Sequence, residues 1–236
     1  MSAALITGAS RGIGAATARR FAEAGFDLLL IARGASELES LAGELRSLGR
    51  RVETATVDLS DPPAIEPSVR ELCERGLPPS LLVNNAGAAY TGALESMPLQ
   101  QWQWLLQLNL TSVFQICQAV LPVLRQQPSA QIINVSSHAA RNAFPEWGAY
   151  CTSKAALAAF SRCLAEEERG SGIRVSTLTL GSVNTPLWDS PTVHSSFDRH
   201  AMLAPEQAAD ALLYLARQPV NQSVEDLTLM PASGAF

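Results

Sequence analysis

Charged residues are scarce in this chain, and basic residues form no cluster. Of the 236 residues, 17% are charged, and the formal net charge is −5 at pH 7. Nucleic acids and anionic membranes are bound through clustered Lys and Arg, so the sequence predicts neither partner. Hydrophobic residues make up 47% of the chain, which argues against disorder and supplies enough apolar surface for a large core. We therefore expect a globular protein that acts on small molecules.

Cysteine is also rare, and the patterns that mark metal sites are missing. The four cysteines form no CxxC pair and no Cys/His cluster with the spacing of metal ligands: Cys73, Cys117, Cys151 and Cys163. The N-terminal residues lack the basic region and the long apolar stretch of a secretory signal. These absences predict a reduced, cytoplasmic protein without a bound metal.

Linkers, internal repeats and low-complexity tracts are absent as well. A chain of this length without an internal boundary suits one α/β domain, which we place at residues 1–236. The longest uncharged stretch, residues 96–124, is long enough to cross a membrane. It contains several Gln residues and Asn109, however, and their amides are costly in hydrocarbon. We therefore predict a buried or subunit-facing helix there and no membrane span.

Apolar, β-rich runs alternate with helical patterns along the chain. Seven runs are strand candidates: AALIT, FDLLLIA, RVETATVD, SLLVNNA, AQIINVS, IRVSTLTL and VEDLTLM. Strands separated by helices predict parallel pairing, since right-handed crossovers return each strand in the same direction. The predicted fold class is therefore α/β, a Rossmann-type doubly wound sheet of seven parallel strands with helices on both faces. Ligands of such sheets bind beyond the carboxyl ends of the strands, where the strand order switches.

Two short patterns predict where helices begin. Residues 36–39, SELE, have the form of a capping box, which places a helix start at Ser36. Further along, SDPP offers an N-cap immediately before Pro62, a proline suited to the first helical position.

A turn with three glycines follows the first strand. Gly8, Gly12 and Gly14 lie in TGASRGIG, ahead of a helical pattern. Glycine permits close backbone approach, and the N-terminus of a helix offers N–H groups to a phosphate. The spacing is G-x-x-x-G-x-G and not the commoner dinucleotide pattern G-x-G-x-x-G. A purely structural turn is the alternative, but the position after the first of seven strands favours a diphosphate site.

The segment AYCTSKAAL places a phenol and an ammonium on one helical face. Tyr150 and Lys154 are four residues apart, so their side chains lie next to each other on a helix. A free tyrosine titrates near about 10, and a neighbouring cation favours the phenolate, so we expect Lys154 to lower the pKa of Tyr150. Such a pair suits proton transfer. An ordinary amphipathic pair is the alternative.

The order of several motifs resembles that of the short-chain dehydrogenase/reductase family. In chain order these are TGASRGIG, NNAG at residues 84–87, Asn109 within a helix, NVSS ending at Ser137, and YCTSK from Tyr150. The resemblance covers essentially residues 3–231. There are two departures from the family pattern. Leu180 stands where a proline often precedes Gly181, and the C-terminal segment lacks the Asp-Gly-Gly ending frequent among fatty-acid-synthesis ketoreductases.

The resemblance implies catalytic roles for four residues. Tyr150 would protonate the substrate oxygen as hydride arrives from the nicotinamide, and Lys154 would also hold the ribose hydroxyls. In this family a serine about thirteen residues before the tyrosine hydrogen-bonds the same oxygen, which points to Ser137, with Ser136 as the alternative. Asn109 would hold a water that relays protons through Lys154. It could also satisfy backbone groups at a distortion of the helix.

The resemblance also implies a nicotinamide cofactor, and the end of the second strand predicts which one. NAD-preferring sites carry a carboxylate there. In this chain Ala32 and Arg33 stand at that end, and Arg11 projects from the glycine turn towards the same region. Two guanidiniums that grip a 2′-phosphate predict NADP(H); two solvated arginines are the alternative.

The resemblance implies further cofactor contacts around this core. Asp58 would bind the adenine amine, although it could be only a turn former, and Val183 and Thr185 would anchor the nicotinamide. The remaining expected contacts, besides Tyr150 and Lys154, are Gly8, Ser10, Gly12, Ile13, Gly14, Leu59, Asn85, Ala86, Gly87 and Gly181.

The predicted function is NADPH-dependent reduction of a ketone, or the reverse oxidation of a secondary alcohol. Candidates for the substrate pocket are His138, Phe144, Trp147, Leu187 and Trp188, with a loop at about 186–204 as a possible lid. The neighbours Ser137 and His138 suggest a serine hydrolase, but the GxSxG pattern is absent and adjacent strand residues point to opposite faces. A cofactor-sensing protein without turnover is the other alternative, which the intact Ser, Tyr and Lys set disfavours.

Two helices are poorly suited to water. These are the uncharged helix around Asn109 and the small-residue stretch KAALAAF after Tyr150. Proteins similar in sequence pair these helices across a two-fold axis, so we expect a homodimer or homotetramer. Burial within one subunit is the alternative.

Overall fold

Seven strands and seven α-helices lie within residues 2–234, which this computed structural model describes. The strands are β1 (Ala3–Thr7), β2 (Asp27–Ala32), β3 (Val52–Thr56), β4 (Leu81–Asn84), β5 (Ala130–Ser137), β6 (Ile173–Leu180) and β7 (Asp226–Leu229). The α-helices are α1 (Gly12–Glu23), α2 (Ala35–Ser47), α3 (Pro62–Glu74), α4 (Leu99–Leu106), α5 (Ser112–Leu124), α6 (Gly148–Glu168) and α7 (Pro205–Ala216). Strands and helices alternate, except that α4 and α5 both lie between β4 and β5. Each predicted strand agrees with an observed one to within two residues at either end.

All seven strands pair in parallel in one sheet with the order β3-β2-β1-β4-β5-β6-β7. β1 lies between β2 and β4, so the winding reverses direction after β3. The connections that leave β1 and β4 diverge at this point and open a crevice at the carboxyl ends of the strands. The predicted fold class is confirmed. Three residues at the ends of the predicted domain, Met1, Ala235 and Phe236, lie outside the described residues.

Helices cover both faces of the sheet. On one face α1, α2 and α7 bury side chains such as Phe21, Leu38 and Leu212. On the other face α3, α5 and α6 bury side chains such as Ile65 and Val120. β1 and β2 are buried along their whole length, which explains why their sequences are continuously apolar instead of alternating.

The two predicted helix starts have different outcomes. The start at Ser36 is wrong, because Gly34 is the N-cap and Ser36 already lies within the first turn of α2. The start before Pro62 is confirmed, with Asp61 at the N-cap, although the Asp61 side chain forms no capping hydrogen bond.

The uncharged stretch forms one long helix with a π-helical segment, Gln107–Thr111, between α4 and α5. Over Leu99–Leu124 it is long and apolar enough to cross a membrane by length and composition alone, with a mean hydropathy of 1.3 in its most apolar window. Half of that window is buried inside the fold, as in the core helices of many proteins. The expectation that it spans no membrane stays a prediction.

Candidate active site

The glycine turn joins β1 to α1 and is possible only because its glycines lack side chains. Gly8 and Gly12 have φ values of +65° and +54°, which a residue with a Cβ rarely adopts. A Cβ on Gly14 would overlap the carbonyl oxygen of Gly8 and lie 2.7 Å from Nδ2 of Asn85. The turn therefore packs directly against the chain that leaves β4.

Hydrogen bonds fix the β4 turn to the glycine turn. The Thr7 hydroxyl accepts the backbone N–H groups of Asn85 and Ala86, each at 3.1 Å. The Asn85 amide in turn donates to the carbonyl oxygen of Thr7 at 3.0 Å. These bonds hold the two walls of the crevice at a fixed separation, which suits a rigid ligand site.

A groove of about 560 Å³ runs along the glycine turn, and we name it the glycine groove. Arg11 and Arg33 both line it, and neither guanidinium forms a hydrogen bond or ion pair within residues 2–234. Glu37 lines the same groove and is not among the predicted site residues. Its carboxylate folds back over Gly34 from the first turn of α2. The signal in the sequence was a Glu three residues after the N-cap, a position from which side chains reach back. The other predicted contacts on the groove wall are Gly8, Ser10, Gly12, Ile13, Leu59, Asn85, Ala86, Gly87 and Thr185.

Asp58 follows β3 and forms a tight turn. Its Oδ1 accepts the backbone N–H and the hydroxyl of Ser60 at 2.9 and 2.7 Å. Burial favours the protonated form, but the Ser60 hydrogen bonds and the charge of Arg33 hold the pKa of the Asp58 carboxyl below its usual value. Asp58 therefore forms the turn, as one expectation proposed. The turn holds its charged carboxylate near Arg33.

The structure brings Tyr150 to Ser137 and not to Ser136. The Ser137 hydroxyl lies close enough to the Tyr150 phenol to favour its ionised form and lower its pKa. Ser137 also accepts the N–H of Ala139 at 3.2 Å, which orients its Oγ. Ser136, the neighbour on β5, is buried, and its Oγ has no hydrogen-bond partner among residues 2–234.

Lys154 is the only lysine of the chain and is buried behind Tyr150. Its Nζ donates to the carbonyl oxygen of Val135 at 3.0 Å and lies 5.9 Å from the centroid of the Tyr150 ring. Burial lowers the pKa of Lys154 to about 8. Burial also raises the pKa of Tyr150, and the Ser137 hydroxyl offsets this only in part. The pKa of Tyr150 is therefore raised and not lowered as expected, because desolvation of the phenolate outweighs the favourable charge of Lys154.

Asn109 lies in the π-helical segment, and both polar atoms of its side chain form hydrogen bonds. Its amide exchanges two bonds of 2.9 Å with the backbone of Ala88 and donates a third, at 3.0 Å, to Ser153. A Cβ on Gly87 would lie 3.2 Å from Asn109 Oδ1 and 3.6 Å from Lys154 Nζ. Asn109 therefore forms hydrogen bonds with the backbone of Ala88, as one of the two expectations proposed, and its side chain lies close to Lys154.

The chain beyond β6 closes the site opposite the glycine turn. Gly181 must be small, because a Cβ there would lie 2.5 Å from Pro231. The carbonyl oxygen of Val183 accepts the indole N–H of Trp188 at 2.8 Å. Thr185 lies over the glycine turn, where its Cγ2 would be 3.3 Å from a Cβ on Gly12.

A second cavity, of about 160 Å³, surrounds Tyr150, and we name it the tyrosine cavity. All five predicted substrate-pocket residues line it, as do Phe197, which was predicted only as part of the loop, and Met230, which was not predicted. Phe197 lies within the predicted loop 186–204, whose two ends form short 3₁₀ turns, Pro186–Asp189 and Arg199–Ala201. Composition reveals such a loop but not which of its side chains turns inwards.

His138 lies on the same cavity as Ser137, so the expectation that they face opposite sides is wrong. The strand ends at Ser137, and His138 begins a 3₁₀ turn. The His138 ring contacts the amide of Asn142, with Nε2 at 2.8 Å.

The glycine groove and the tyrosine cavity are continuous, since they share the residues Ile13, Asn85, Gly87, Ala88, Thr185 and Leu187. Arg11 and Arg33 line one end of this continuous groove, and the glycine turn lines its middle. The cluster of Ser137, Tyr150 and Lys154 lines the other end. A dinucleotide has this shape and charge distribution, so the residues present fit one. Within residues 2–234, no group of three or more His, Cys, Asp or Glu side chains is placed to hold a metal ion.

An α/β protein whose glycine turn and half-buried tyrosine open onto one groove at the switch point belongs to the class of dinucleotide-binding proteins. Within that class, the family model for short chain dehydrogenases matches residues 2–194, and the chain belongs to this family of oxidoreductases. The family expected from the motif order is confirmed.

Known proteins similar to this chain include both uncharacterized and named oxidoreductases. An uncharacterized oxidoreductase of Mycobacterium tuberculosis is 34% identical over 91% of this chain, which covers 64% of that protein's length. Sepiapterin reductase of Chlorobaculum tepidum is 32% identical over 98% of this chain and 96% of its own. Among solved structures, the alcohol dehydrogenase of the archaeon Thermococcus sibiricus, complexed with 5-hydroxy-NADP, has a TM-score of 0.90 and 30% identity. That alignment covers 98% of this chain and 97% of that one.

Gly14→Ala is expected to lower NADPH affinity by about tenfold or more and to destabilise the fold by about 1 to 3 kcal/mol. The added methyl group would push apart Gly8 and the first turn of α1. Fluorescence titration with NADPH and thermal unfolding measure the two effects. Gly43→Ala is the matched control, since it lies in α2 with nothing within 4 Å of an added Cβ, and it should bind NADPH normally. Normal NADPH binding by Gly14→Ala would contradict the packing described for the turn.

Proposed function

We propose that this protein is an NADPH-dependent reductase of ketones, or the corresponding dehydrogenase of secondary alcohols. The observation that supports this best is the continuous path from Arg11 and Arg33 to Tyr150. One end suits a 2′-phosphate, and the other holds the half-buried phenol of Tyr150 beside an apolar cavity.

Tyr150 is the proton donor. Because burial raises its pKa, the phenol is protonated at neutral pH, which is the form that ketone reduction needs. Ser137 lies beside that phenol on the same cavity, so a carbonyl oxygen placed between the two hydroxyls receives two hydrogen bonds. When bound, NADPH supplies the hydride. As negative charge develops on the substrate oxygen, Tyr150 gives up its proton and Ser137 stabilises the remaining charge.

Lys154 and Asn109 restore the proton. The ammonium of Lys154 lies on the far side of the phenol and stabilises the phenolate left after transfer. The side chains of Asn109 and Lys154 both lie next to Gly87. Asn109 holds the water through which Lys154 exchanges protons with solvent. Lys154 also binds the ribose hydroxyls of the nicotinamide half.

The cofactor is NADP(H). Arg11 and Arg33 bind the 2′-phosphate, and Asp58 binds the adenine amine through the carboxylate that Ser60 holds in place. Val183 and Thr185 anchor the nicotinamide beside Gly181. The diphosphate lies on the backbone N–H groups of the glycine turn, where the positive end of α1 favours an anion.

A panel of aldehydes, ketones and secondary alcohols, assayed with NADPH or NADP⁺ through the absorbance band of reduced nicotinamide, tests the function. Turnover of at least one ketone is expected. Tight NADPH binding without turnover of any compound would favour a cofactor-sensing protein. Hydrolysis of esters without any use of NADPH would overturn the proposal.

We expect a homodimer or homotetramer assembled through α5 and α6. Phe114 of α5 is 45% exposed and packs edge-on against Phe160 of α6 at 6.4 Å, so the two helices share an apolar surface. Light scattering at micromolar concentration should give at least twice the mass of 25.1 kDa. Phe114→Glu should shift the mass towards that of one chain, whereas Leu48→Glu, an exposed residue after α2, should not. A wild-type monomer would contradict the expectation.

The cytoplasmic location and the absence of nucleic-acid and membrane partners stay predictions.

A further inference from the structure

Four aromatic rings form a continuous wall that begins at the proton donor. Trp147 contacts Tyr150 edge-on at 5.6 Å and is parallel to Phe197 within 8°, at 6.4 Å. Trp188 lies 5.8 Å from Trp147 and 5.6 Å from Phe197. All four rings line the tyrosine cavity, so a group attached to a carbonyl held at Tyr150 lies against them.

The wall is fixed by hydrogen bonds to the backbone and by an ion pair. The indole N–H of Trp188 is bound to the carbonyl oxygen of Val183 at 2.8 Å. The loop that carries Phe197 is held at its far end by Arg199, whose guanidinium donates to Asn184 at 2.7 Å and to Asp189 at 2.9 Å. Rings that are already ordered bind a flat partner with little additional loss of entropy.

The tyrosine cavity offers no free cationic partner to an anionic substrate group. Among residues 2–234, two basic side chains line it: the ammonium of Lys154 is committed to Val135 behind the phenol, and the ring of His138 contacts the amide of Asn142. Arg199 and Arg141 do not line the cavity and are paired with Asp189 and Asp226. A carboxylate or sulfonate near the carbonyl would therefore be buried against rings without a counter-charge, which is strongly unfavourable.

We infer that the substrate is an uncharged ketone that carries an aromatic ring next to its carbonyl group, and that the cavity rejects ketones with a carboxylate, sulfonate or phosphate on that ring. This inference rests on the proposed function. The ring stacks on the wall formed by Trp147, Trp188 and Phe197 while the carbonyl oxygen lies at Tyr150 and Ser137.

Three ketones and NADPH test the inference with the whole chain: acetophenone, cyclohexyl methyl ketone of similar size, and 4-acetylbenzoate. Acetophenone should exceed cyclohexyl methyl ketone in kcat/KM by about threefold to tenfold, from ring-on-ring contacts. It should exceed 4-acetylbenzoate by about 100-fold or more, because of the unpaired charge. Quenching of tryptophan fluorescence by 1-phenylethanol, and not by its 4-carboxylate, gives a readout that needs no turnover.

Variants of the wall make the test specific. Phe197→Ala should lower the ratio of kcat/KM for acetophenone to that for butanone by about tenfold. Phe197→Arg should raise the ratio for 4-acetylbenzoate to acetophenone by about tenfold or more. Tyr214→Ala, which removes an exposed ring on α7 outside the cavity, should leave both ratios unchanged. Thermal unfolding and NADPH titration identify any variant that fails to fold. In that case the inference is tested on the wild type, by comparing the quenching of tryptophan fluorescence by 1-phenylethanol with that by its 4-carboxylate.

The outcomes separate the inference from the function on which it rests. Equal kcat/KM for acetophenone, cyclohexyl methyl ketone and 4-acetylbenzoate, or a preference for the anion, overturns the inference and leaves the reductase function intact. Absence of NADPH oxidation with every ketone and aldehyde of the broader panel overturns both. Equal quenching of tryptophan fluorescence by 1-phenylethanol and by its 4-carboxylate also contradicts the inference.

Discussion

Tyr150→Phe is expected to lower kcat for ketone reduction by about 10²- to 10⁴-fold while NADPH affinity stays within about threefold of wild type. The change removes one hydroxyl and keeps the ring that contacts Trp147. Ser137 remains and can still hydrogen-bond the substrate, but a serine hydroxyl is too weak an acid to replace the phenol. The developing charge on the substrate oxygen would then have no proton donor.

Steady-state kinetics and a fluorescence titration measure these two quantities. Tyr214→Phe is the matched control, because it removes the hydroxyl of an exposed tyrosine on α7 and should be neutral. Lys154→Ala should reduce both turnover and cofactor affinity, since Lys154 has a role in each. If Tyr150→Phe kept more than about a third of wild-type turnover, Tyr150 would not be the proton donor.

Arg33→Ala is expected to lower kcat/KM for NADPH by about tenfold or more and to change the value for NADH little. Each charge-assisted hydrogen bond contributes about 1.5 to 3 kcal/mol, so Arg11 and Arg33 together would favour NADPH over NADH by about two to four orders of magnitude. Both side chains are exposed to solvent and Glu37 lines the same groove, so we expect the lower end of this range.

Three further variants make this prediction specific. Ala32→Asp places a carboxylate at the end of β2 and should reverse the preference by repelling the 2′-phosphate. Glu37→Gln removes the charge that opposes that phosphate and should raise the preference for NADPH. Arg70→Ala alters the net charge equally at an exposed site on α3 and should leave the ratio unchanged. Equal use of both cofactors by the wild type, or equal losses for both in Arg33→Ala, would contradict the assignment.

The fold was predictable because each strand is both apolar and bounded by turn-forming residues. β1 and β2 are buried on both faces, so their sequences contain unbroken hydrophobic runs. Helix starts were less secure. A capping pattern does not reveal whether Gly34 or Ser36 leaves the helical conformation first, since the backbone there depends on packing.

The positions of the site residues were predictable, whereas their environments were not. Strand ends place Gly8, Asn85 and Ser137 at one edge of a parallel sheet, and a four-residue spacing brings Lys154 beside Tyr150. Burial depends on residues distant in sequence, and it is burial that raises the pKa of Tyr150 against the local effect of a cation. The inward turns of Phe197 and Glu37 likewise depend on contacts that no local pattern encodes.

The measurement that tests the central proposal most directly is transfer of deuterium from NADPH labelled at C4 of the nicotinamide to a ketone that the protein reduces. Mass spectrometry of the alcohol reports where the label goes. Deuterium on the carbinol carbon, in one alcohol for each NADPH oxidised and with transfer greatly slowed in Tyr150→Phe, is the expected result. NADPH that binds in the groove while no deuterium reaches any alcohol would contradict the proposal that this protein is a reductase.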